Sequence, residues 1–263
     1  AGGLERIVTG KANYLADVLG YEVTILTSEQ QNRVPYYPLS QRVRHHDLGV
    51  VIDHPERSSL LWKIATYPLK YLLFKHRFSA FLHQSKPDIT ISTLRRESNF
   101  LNSLQDGSVK IGELHITRHA YSPLSAKLRS ISEPLHRYLD RRYARKLNSF
   151  ARIVLLTREE QEIWPELRNS VVIHNYQEKV SAISAELNHK RVIAVGRYSY
   201  QKGFDLLAEA WKMVTEAHPD WSLHIYGDGD RTELEKKIIA LNLNESFLTH
   251  GKTDSIIEKY QES

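Results

Sequence analysis

Apolar residues along the chain follow two spacings, and segments with the two spacings alternate. Between residues 4 and 19 they recur at helical spacing, as on one face of a helix, and Gly20 ends the pattern. Elsewhere, short apolar runs rich in β-branched residues predict buried strands. These runs lie at residues 21–27, 42–51, 89–93, 110–115, 152–157, 191–196, 222–226 and 247–250. Strands that alternate with helices favour an α/β fold in which parallel sheets carry helices on both faces.

The same pattern predicts two domains. Residues 1–176 make up a first Rossmann-like domain, with a long helical region from about residue 122 to 150 that we expect to break near Pro134. Residues 177–190 lack a strong pattern and are predicted to form a linker. Residues 191–263 repeat strand and helix, which predicts an incomplete second Rossmann-like domain.

The segment 192–207 carries the most informative candidate site. A strand covered on both faces is predicted to end at Gly196, and Gly196 and Gly203 bracket a short loop before a helix. Arg197 and Lys202 lie in this loop, at the carboxyl end of the strand, where open α/β sheets bind ligands. Two cations beside a helix N-terminus suit a diphosphate. The alternative is that both are solvated surface cations.

A glycine pair near the beginning of the chain leads directly into the first helix. Gly2 and Gly3 would expose backbone amides to an anion at the helix N-terminus. A tight turn that needs a positive φ explains the pair equally well.

Seven segments, in this order along the chain, resemble glycosyltransferase family 4, the retaining enzymes of the GT-B fold. The glycine pair and the segment 192–207 are two of them, and the others are Ile111–His115, Ile153–Glu160, Val171–Asn175, Leu223–Gly229 and Leu248–Thr253. His174 replaces the proline of the family's usual Ile-Pro-Asn. The resemblance covers nearly the whole chain. It implies an α/β protein with two Rossmann-like domains that face a cleft, the second incomplete.

The resemblance also implies that the sequence is a fragment. Family members begin with a hydrophobic strand ahead of the glycine pair, whereas this chain opens at the loop without Met. The donor domain of the family continues past the position of Ser263 through a Glu-x7-Glu motif. The two glutamates that hold the donor sugar and ribose are therefore absent, and we expect this fragment alone to be inactive.

The implied reaction is transfer of a sugar, with retention, from a UDP- or GDP-linked donor to a hydroxyl of a glycan or lipid-linked acceptor. The expected setting is surface polysaccharide synthesis. Arg197 and Lys202 would neutralise the leaving diphosphate from one domain, and the amides of Gly2 and Gly3 from the other. These charges make a metal cofactor unnecessary.

Further residues enter the candidate donor site only through the resemblance. Gly227 follows the next strand of the donor half, and Lys252 and Thr253 follow the last one, where family members hold the nucleotide base. These three residues are the remaining expected donor contacts.

His115 is the third candidate catalytic residue. It lies at the carboxyl end of a predicted strand, where the crevice is expected, and the resemblance places the matching histidine beside the donor sugar. Glu113 stands two residues earlier and should point the same way. Arg118 and His119 follow in the loop and are candidates to meet the acceptor. The alternative is that His115 only caps the strand.

Composition narrows the partners. The 263 residues carry a formal net charge of +5, which favours anionic partners such as nucleotides or phospholipid surfaces. Nucleic acid is not expected, because no recognition motif accompanies the charge. The chain has no cysteine, which excludes disulfides and thiolate metal sites and suits a reducing cytoplasm. We therefore expect a cytoplasmic protein.

Residues 59–84 combine aromatic and aliphatic side chains with lysine and arginine. Such a segment can lie in a membrane interface, which would give peripheral contact with the inner face of the membrane. A core-packed helix with lysines that reach outward is the alternative, and it is slightly favoured because apolar residues occupy too much of the circumference.

Two rival function classes remain open. The chain can be a non-catalytic nucleotide-sugar-binding or membrane-docking module. It can also be a different GT-B enzyme, such as a nucleotide-sugar epimerase, which would act on the donor without an acceptor.

Overall fold

The computed structural model describes residues 2–31, 33–52, 60–118, 133–177 and 183–263. The chain divides into two compact units, residues 1–178 and 179–263. Each unit is a layered arrangement of parallel strands and helices, as the alternating pattern predicts.

The first unit contains helices and strands at the predicted positions. Its elements are α1 (Gly3–Asp17), β1 (Val23–Thr27), β2 (Val43–Asp47), α2 (Leu60–Ser85), β3 (Ile89–Ser92), β4 (Val109–Glu113), α3 (Glu133–Leu147), β5 (Arg152–Leu155), α4 (Arg158–Ile163) and β6 (Ser170–Val172). Two 3-10 turns, Arg96–Asn99 and Leu101–Ser103, join β3 to β4. The helical region predicted from residue 122 is confirmed over α3, while its first part lies outside the described residues.

All strand pairs of the first unit are parallel. β1 pairs with β2, and a four-stranded sheet has the order β3-β4-β5-β6. Leu147 of α3 and Ile153 and Leu155 of β5 are fully buried in its core. Phe74 and Phe78 of α2 pack in the same core, with ring centroids 5.7 Å apart.

Helix α2 has two different halves, and the core-packed interpretation of residues 59–84 is confirmed for one of them. In the carboxyl-terminal half, Phe74, Phe78 and Leu82 are buried. In the amino-terminal half, Ile64 and Leu69 are 63% and 72% exposed. No helix in the described ranges is both long and apolar enough to cross a membrane.

The second unit contains β7 (Arg191–Val195), α5 (Phe204–Ala217), β8 (Ser222–Tyr226), α6 (Thr232–Ala240), β9 (Phe247–His250) and α7 (Ile256–Gln261). A 3-10 turn, Tyr200–Lys202, precedes α5. The parallel sheet has the order β7-β8-β9. Leu223, Ile225 and Phe247 of the sheet pack against Phe204 and Trp211 of α5 in the core.

One expectation about β7 is wrong. Its apolar run predicted a strand covered on both faces, but Val192 and Val195 are 37% and 44% exposed. The exposure follows from the pairing in the described residues, where β8 is the one strand that pairs with β7. An edge strand buries less side-chain surface than a central strand such as β8, whose Leu223 and Ile225 are fully buried.

Candidate active site

The loops that follow β7, β8 and β9 lie at one edge of the second sheet, because the three strands are parallel. This edge brings together the predicted donor residues of the second unit. They are Arg197 and Lys202 after β7, Gly227 after β8, and Lys252 and Thr253 after β9.

Two of these loops interlock through glycine. A Cβ atom on Gly227 would lie 1.8 Å from the carbonyl oxygen of Gly196, so that only glycine lets the two chains approach. Gly229 has φ +120°, and a Cβ there would lie 2.9 Å from the carbonyl oxygen of Tyr198. The amides of Gly196 and Tyr198 also donate to Tyr226 O and Asp228 O at 3.0 and 2.8 Å. Gly227 therefore shapes the site, which gives it a packing role in addition to any contact with a ligand.

Tyr198 anchors the interlocked loops from beneath. Its ring is buried, and its hydroxyl oxygen lies 2.8 Å from both Ile225 O and His250 O while it accepts from His250 N at 3.1 Å. Burial raises the pKa of the Tyr198 phenol, which therefore stays protonated and remains a donor. The Arg231 guanidinium lies 5.8 Å from the ring centroid and donates to Thr249 O at 3.2 Å. Tyr198, the residue after Arg197, thus holds in place the loop that carries Arg197.

Arg197 and Lys202 both extend into solvent from this braced loop. Within the described residues, no carboxylate lies within 4.0 Å of either side chain. The aliphatic part of Lys202 packs over Gly196, where an added Cβ would lie 3.4 Å from Lys202 Cδ and Cε. Gly203, with φ +65°, then turns the chain into α5. The backbone that carries the two cations is therefore held in place. Their charged groups have no ion-pair partner among the described residues, as an anion-binding loop requires.

In the loop after β9, Thr253 has a structural contact and Lys252 is exposed. The Thr253 hydroxyl accepts from the Ser255 amide at 3.1 Å, so it shapes the turn before α7.

In the first unit, the side chains of Glu113 and His115 meet at the carboxyl end of β4, as their two-residue spacing predicts. Glu113 is 6% exposed, and its Oε2 lies 3.1 Å from His115 Nε2. Its other oxygen, Oε1, accepts from Lys11 Nζ at 2.8 Å. Burial alone would raise the pKa of Glu113, but hydrogen bonds from His115 and Lys11 and the charge of Lys11 together lower it. Glu113 is therefore a carboxylate, and His115 binds a side chain instead of capping the strand backbone.

The glycine pair begins α1 in an extended conformation. Gly2 has φ −116°, so the interpretation as a turn that needs positive φ is wrong. The Gly2 amide donates to Glu5 Oε2 at 2.8 Å, which means that an anion would have to displace this carboxylate. A Cβ on Gly3 would meet nothing within 4 Å, so space is open there.

Arg118 does not fit its expected place beside an acceptor. Its guanidinium donates to both oxygens of Glu166 at 2.9 and 3.0 Å and lies 4.5 Å from the Trp164 ring centroid. These bonds use its donors within the unit and make it a structural cation. His119 lies outside the described residues.

Comparison with known proteins shows what the chain is similar to. Residues 176–263 match the family model described as glycosyl transferases group 1. Over its whole length the chain is 25% identical to the amylovoran biosynthesis glycosyltransferase AmsD of Erwinia amylovora, of which it covers 69%. The chain is therefore similar to glycosyltransferases, and its second unit has the sequence pattern of group 1.

Solved structures extend the similarity to the fold of the chain. All of the chain matches 68% of the lipopolysaccharide outer core galactosyltransferase WaaB, with a TM-score of 0.63 and 14% identity. A further match covers 72% of the chain and 38% of TarM, with a TM-score of 0.52 and 20% identity. The chain thus spans well under half of TarM. The parallel α/β units have the GT-B fold of these glycosyltransferases.

Two residues of the candidate site were missed by the sequence interpretation. Lys11 resembles an ordinary solvent-facing lysine on an amphipathic helix, and its partner Glu113 is 102 positions away. Tyr198 lies inside the loop that Gly196 and Gly203 bracket. An aromatic side chain in such a short polar loop was the one signal that it packs inward.

Proposed function

We propose that this glycosyltransferase moves a sugar from a nucleotide-diphosphate donor to a hydroxyl acceptor and retains the anomeric configuration. The observation that carries the proposal is the loop between β7 and α5, where two unpaired cations project from a braced backbone. Departure of a nucleoside diphosphate concentrates negative charge on the leaving oxygen. Fixed cations at that point stabilise the transition state more than the ground state.

The donor site rests on the residues that share this edge. Arg197 and Lys202 would bind the diphosphate oxygens, Gly227 would let the backbone come close, and Lys252 and Thr253 would lie beside the nucleoside. We favour a UDP-linked donor over a GDP-linked one, because a TarM mutant that shares this fold, with a TM-score of 0.51, was solved in complex with UDP. No metal is needed in this scheme, since the two cations balance the diphosphate.

In the first unit, the proposed catalytic residue is His115, and the amides of Gly2 and Gly3 are proposed as donors to an anionic group. The acceptor class follows the names of the relatives. AmsD is named for amylovoran biosynthesis and WaaB for the lipopolysaccharide outer core, so a glycan or lipid-linked acceptor of surface polysaccharide synthesis is proposed here. Such an acceptor would place the protein in the cytoplasm, at the inner face of the membrane.

Calorimetric titration of the chain with UDP, GDP and ADP tests the donor site. We expect one nucleotide to bind, and we expect Lys202→Ala to weaken that binding while Lys236→Ala, an equal loss of charge on α6, leaves it unchanged. Equal affinity of both variants, or no binding of any nucleotide, would contradict the proposal.

A peripheral membrane contact has its own observation, the exposed half of α2. Helix α2 has 26 residues and is about 39 Å long, whereas β3 has four residues and spans roughly 13 Å. Since α2 ends at Ser85, just before β3 begins, its amino-terminal half extends beyond the carboxyl edge of the sheet. That half exposes Ile64, Leu69 and Leu72, and α2 contains no acidic residue. This composition suits an anionic lipid surface.

Sedimentation with phosphatidylglycerol vesicles tests this contact. The triple change of Ile64, Leu69 and Leu72 to Ser should abolish vesicle binding. A matched control changes Leu206, Met213 and Ile239 to Ser, three apolar residues of the second unit that are equally exposed. The proposal fails if the two triple variants bind vesicles equally well.

Nucleotide-sugar epimerisation and non-catalytic binding stay as the alternatives. Incubation with the donor alone separates them, because an epimerase inverts or hydrolyses the donor without an acceptor. A binding module retains affinity for the nucleotide and leaves the donor intact even when acceptors are supplied.

A further inference from the structure

The carboxylate of Glu113 forms an ordered connection between helix α1 and the ring of His115. It is buried, and each of its two oxygens has its own partner. Lys11 reaches it from the third turn of α1, and its side chain is 26% exposed. Only 8% of the His115 side chain is exposed. These are close contacts between elements that are far apart in sequence.

The chemistry of this contact determines where the imidazole proton lies. An ionised carboxylate has no proton to donate, so the His115 ring nitrogen that faces Glu113 Oε2 must carry a hydrogen. That nitrogen is Nε2, at 3.1 Å. In the neutral ring, Nδ1 is then unprotonated and is an acceptor.

Lys11 holds the carboxylate from its other side. The ammonium of Lys11 lies 2.8 Å from Oε1 and balances the charge of Glu113. It also holds the carboxylate in one orientation, which in turn orients the ring of His115.

We propose that Lys11 and Glu113 are a positioning pair that holds the His115 ring with Nε2–H on Glu113, so that Nδ1 of the neutral ring is a hydrogen-bond acceptor. The proposal deepens the proposed function, on which the role of His115 at the sugar rests. It also names the kind of group that the ring can take. An acceptor nitrogen binds a hydroxyl, as on a sugar, and does not bind a phosphate or carboxylate oxygen.

Long-range ¹H–¹⁵N correlation spectra of the histidine rings test the proposal on the chain itself at pH 7.5. The His115 signals are assigned by their loss in His115→Gln. We expect the pattern of an Nε2-protonated neutral ring in the unaltered protein. An Nδ1-protonated ring, or an imidazolium, would overturn the proposal.

Variants of the pair separate positioning from simple stabilisation. Lys11→Met should release the carboxylate of Glu113 from its fixed orientation, so that the His115 spectrum shows both neutral tautomers. Lys11→Arg should keep the Nε2–H tautomer, and Lys236→Met, a remote loss of charge, should leave the spectrum unchanged. Glu113→Gln should give mixed tautomers, because an amide can donate or accept.

An unchanged His115 spectrum in Lys11→Met would show that Lys11 only stabilises the fold and would overturn its positioning role. Amide spectra check that each variant is folded, and if Glu113→Gln is not, the unaltered protein and the Lys11 variants still decide. The outcome is independent of nucleotide titration, so failure of the proposed donor site and failure of this inference are distinguishable.

Discussion

The two units hold their candidate catalytic groups in opposite ways. In the second unit, Arg197 and Lys202 are exposed, and no carboxylate of the described residues lies within 4.0 Å of them. In the first unit, His115 is buried, and its partner Glu113 is itself paired with Lys11. Unpaired charges are ready for a ligand that brings its own charge, whereas paired ones are preorganised for a neutral group. The difference suits a diphosphate at the second unit and a sugar hydroxyl at the first.

The largest effect should come from breaking the buried pair. Glu113→Ala would leave Lys11 and His115 without their acceptor, and we expect a loss of about 2–4 kcal/mol in the free energy of unfolding. Urea denaturation of the first unit measures it. Lys202→Ala should change the same quantity by less than about 0.5 kcal/mol. Similar losses in both variants would remove the contrast between the paired and unpaired charges.

A second test addresses the braced loops. Gly227→Ala places a methyl group 1.8 Å from the Gly196 carbonyl oxygen, so the loops must separate. The expected cost is about 1–3 kcal/mol of stability, together with weaker nucleotide binding. Gly251→Ala is the matched control, since a Cβ there meets nothing within 4 Å. Thermal unfolding and titration of the two variants should differ, and equal behaviour would mean that the interlock does not shape the site.

A third test measures the exposed cations directly. Arg197→Ala and Lys202→Ala should each weaken nucleoside-diphosphate binding by about 1–3 kcal/mol, as loss of a charge-assisted hydrogen bond does. The unaltered protein should bind less tightly as salt rises, because exposed charges are screened. Full affinity in both variants would support the interpretation of Arg197 and Lys202 as solvated surface cations.

A further test concerns acid stability. Burial, and then the charges of Arg191 and His250, lower the pKa of His224 from 6.5 to about 4. The folded second unit therefore binds fewer protons than the unfolded chain between these values, and its stability falls as pH drops from 6.5 towards 4. His224→Gln should flatten this part of the curve of unfolding free energy against pH.

The first unit should lose stability at a lower pH than the second unit. The pKa of Glu113 is lowered from 4.5, so its stabilising contribution is present above that value and is lost as pH falls through the folded pKa. Glu113→Gln should lack this loss. The two units would then lose stability in separate acid ranges, which far-ultraviolet circular dichroism of the two variants can resolve.

Much of the fold followed from local patterns, because strands and helices have characteristic spacings. The β-branched run at 191–196 placed β7, and the glycines around Arg197 and Lys202 placed the cation loop. What the patterns did not show depends on contacts between distant residues. Exposure of Val195 follows from the edge position of β7, and Lys11 meets Glu113 across 102 residues. The spacing of apolar residues along the chain predicts neither the exposure of Val195 nor the contact between Lys11 and Glu113.

Helix α2 shows the same limit within one element. Both halves of the helix are rich in aliphatic and aromatic residues, yet Phe78 is buried and Leu69 is exposed. The difference depends on how far the sheet reaches along the helix. Such lengths come from the assembled unit, since β3 has only four residues.

The interlock between the loops after β7 and β8 has a consequence for engineering. The carbonyl of Gly196 occupies the space that a side chain at 227 would need. The hydroxyl of Tyr198 is hydrogen-bonded to the backbone of both β8 and β9. Exchange of either loop alone with that of a relative would therefore bring together surfaces that were not shaped for each other. A graft intended to change donor preference should carry both loops, with Tyr198, as one block.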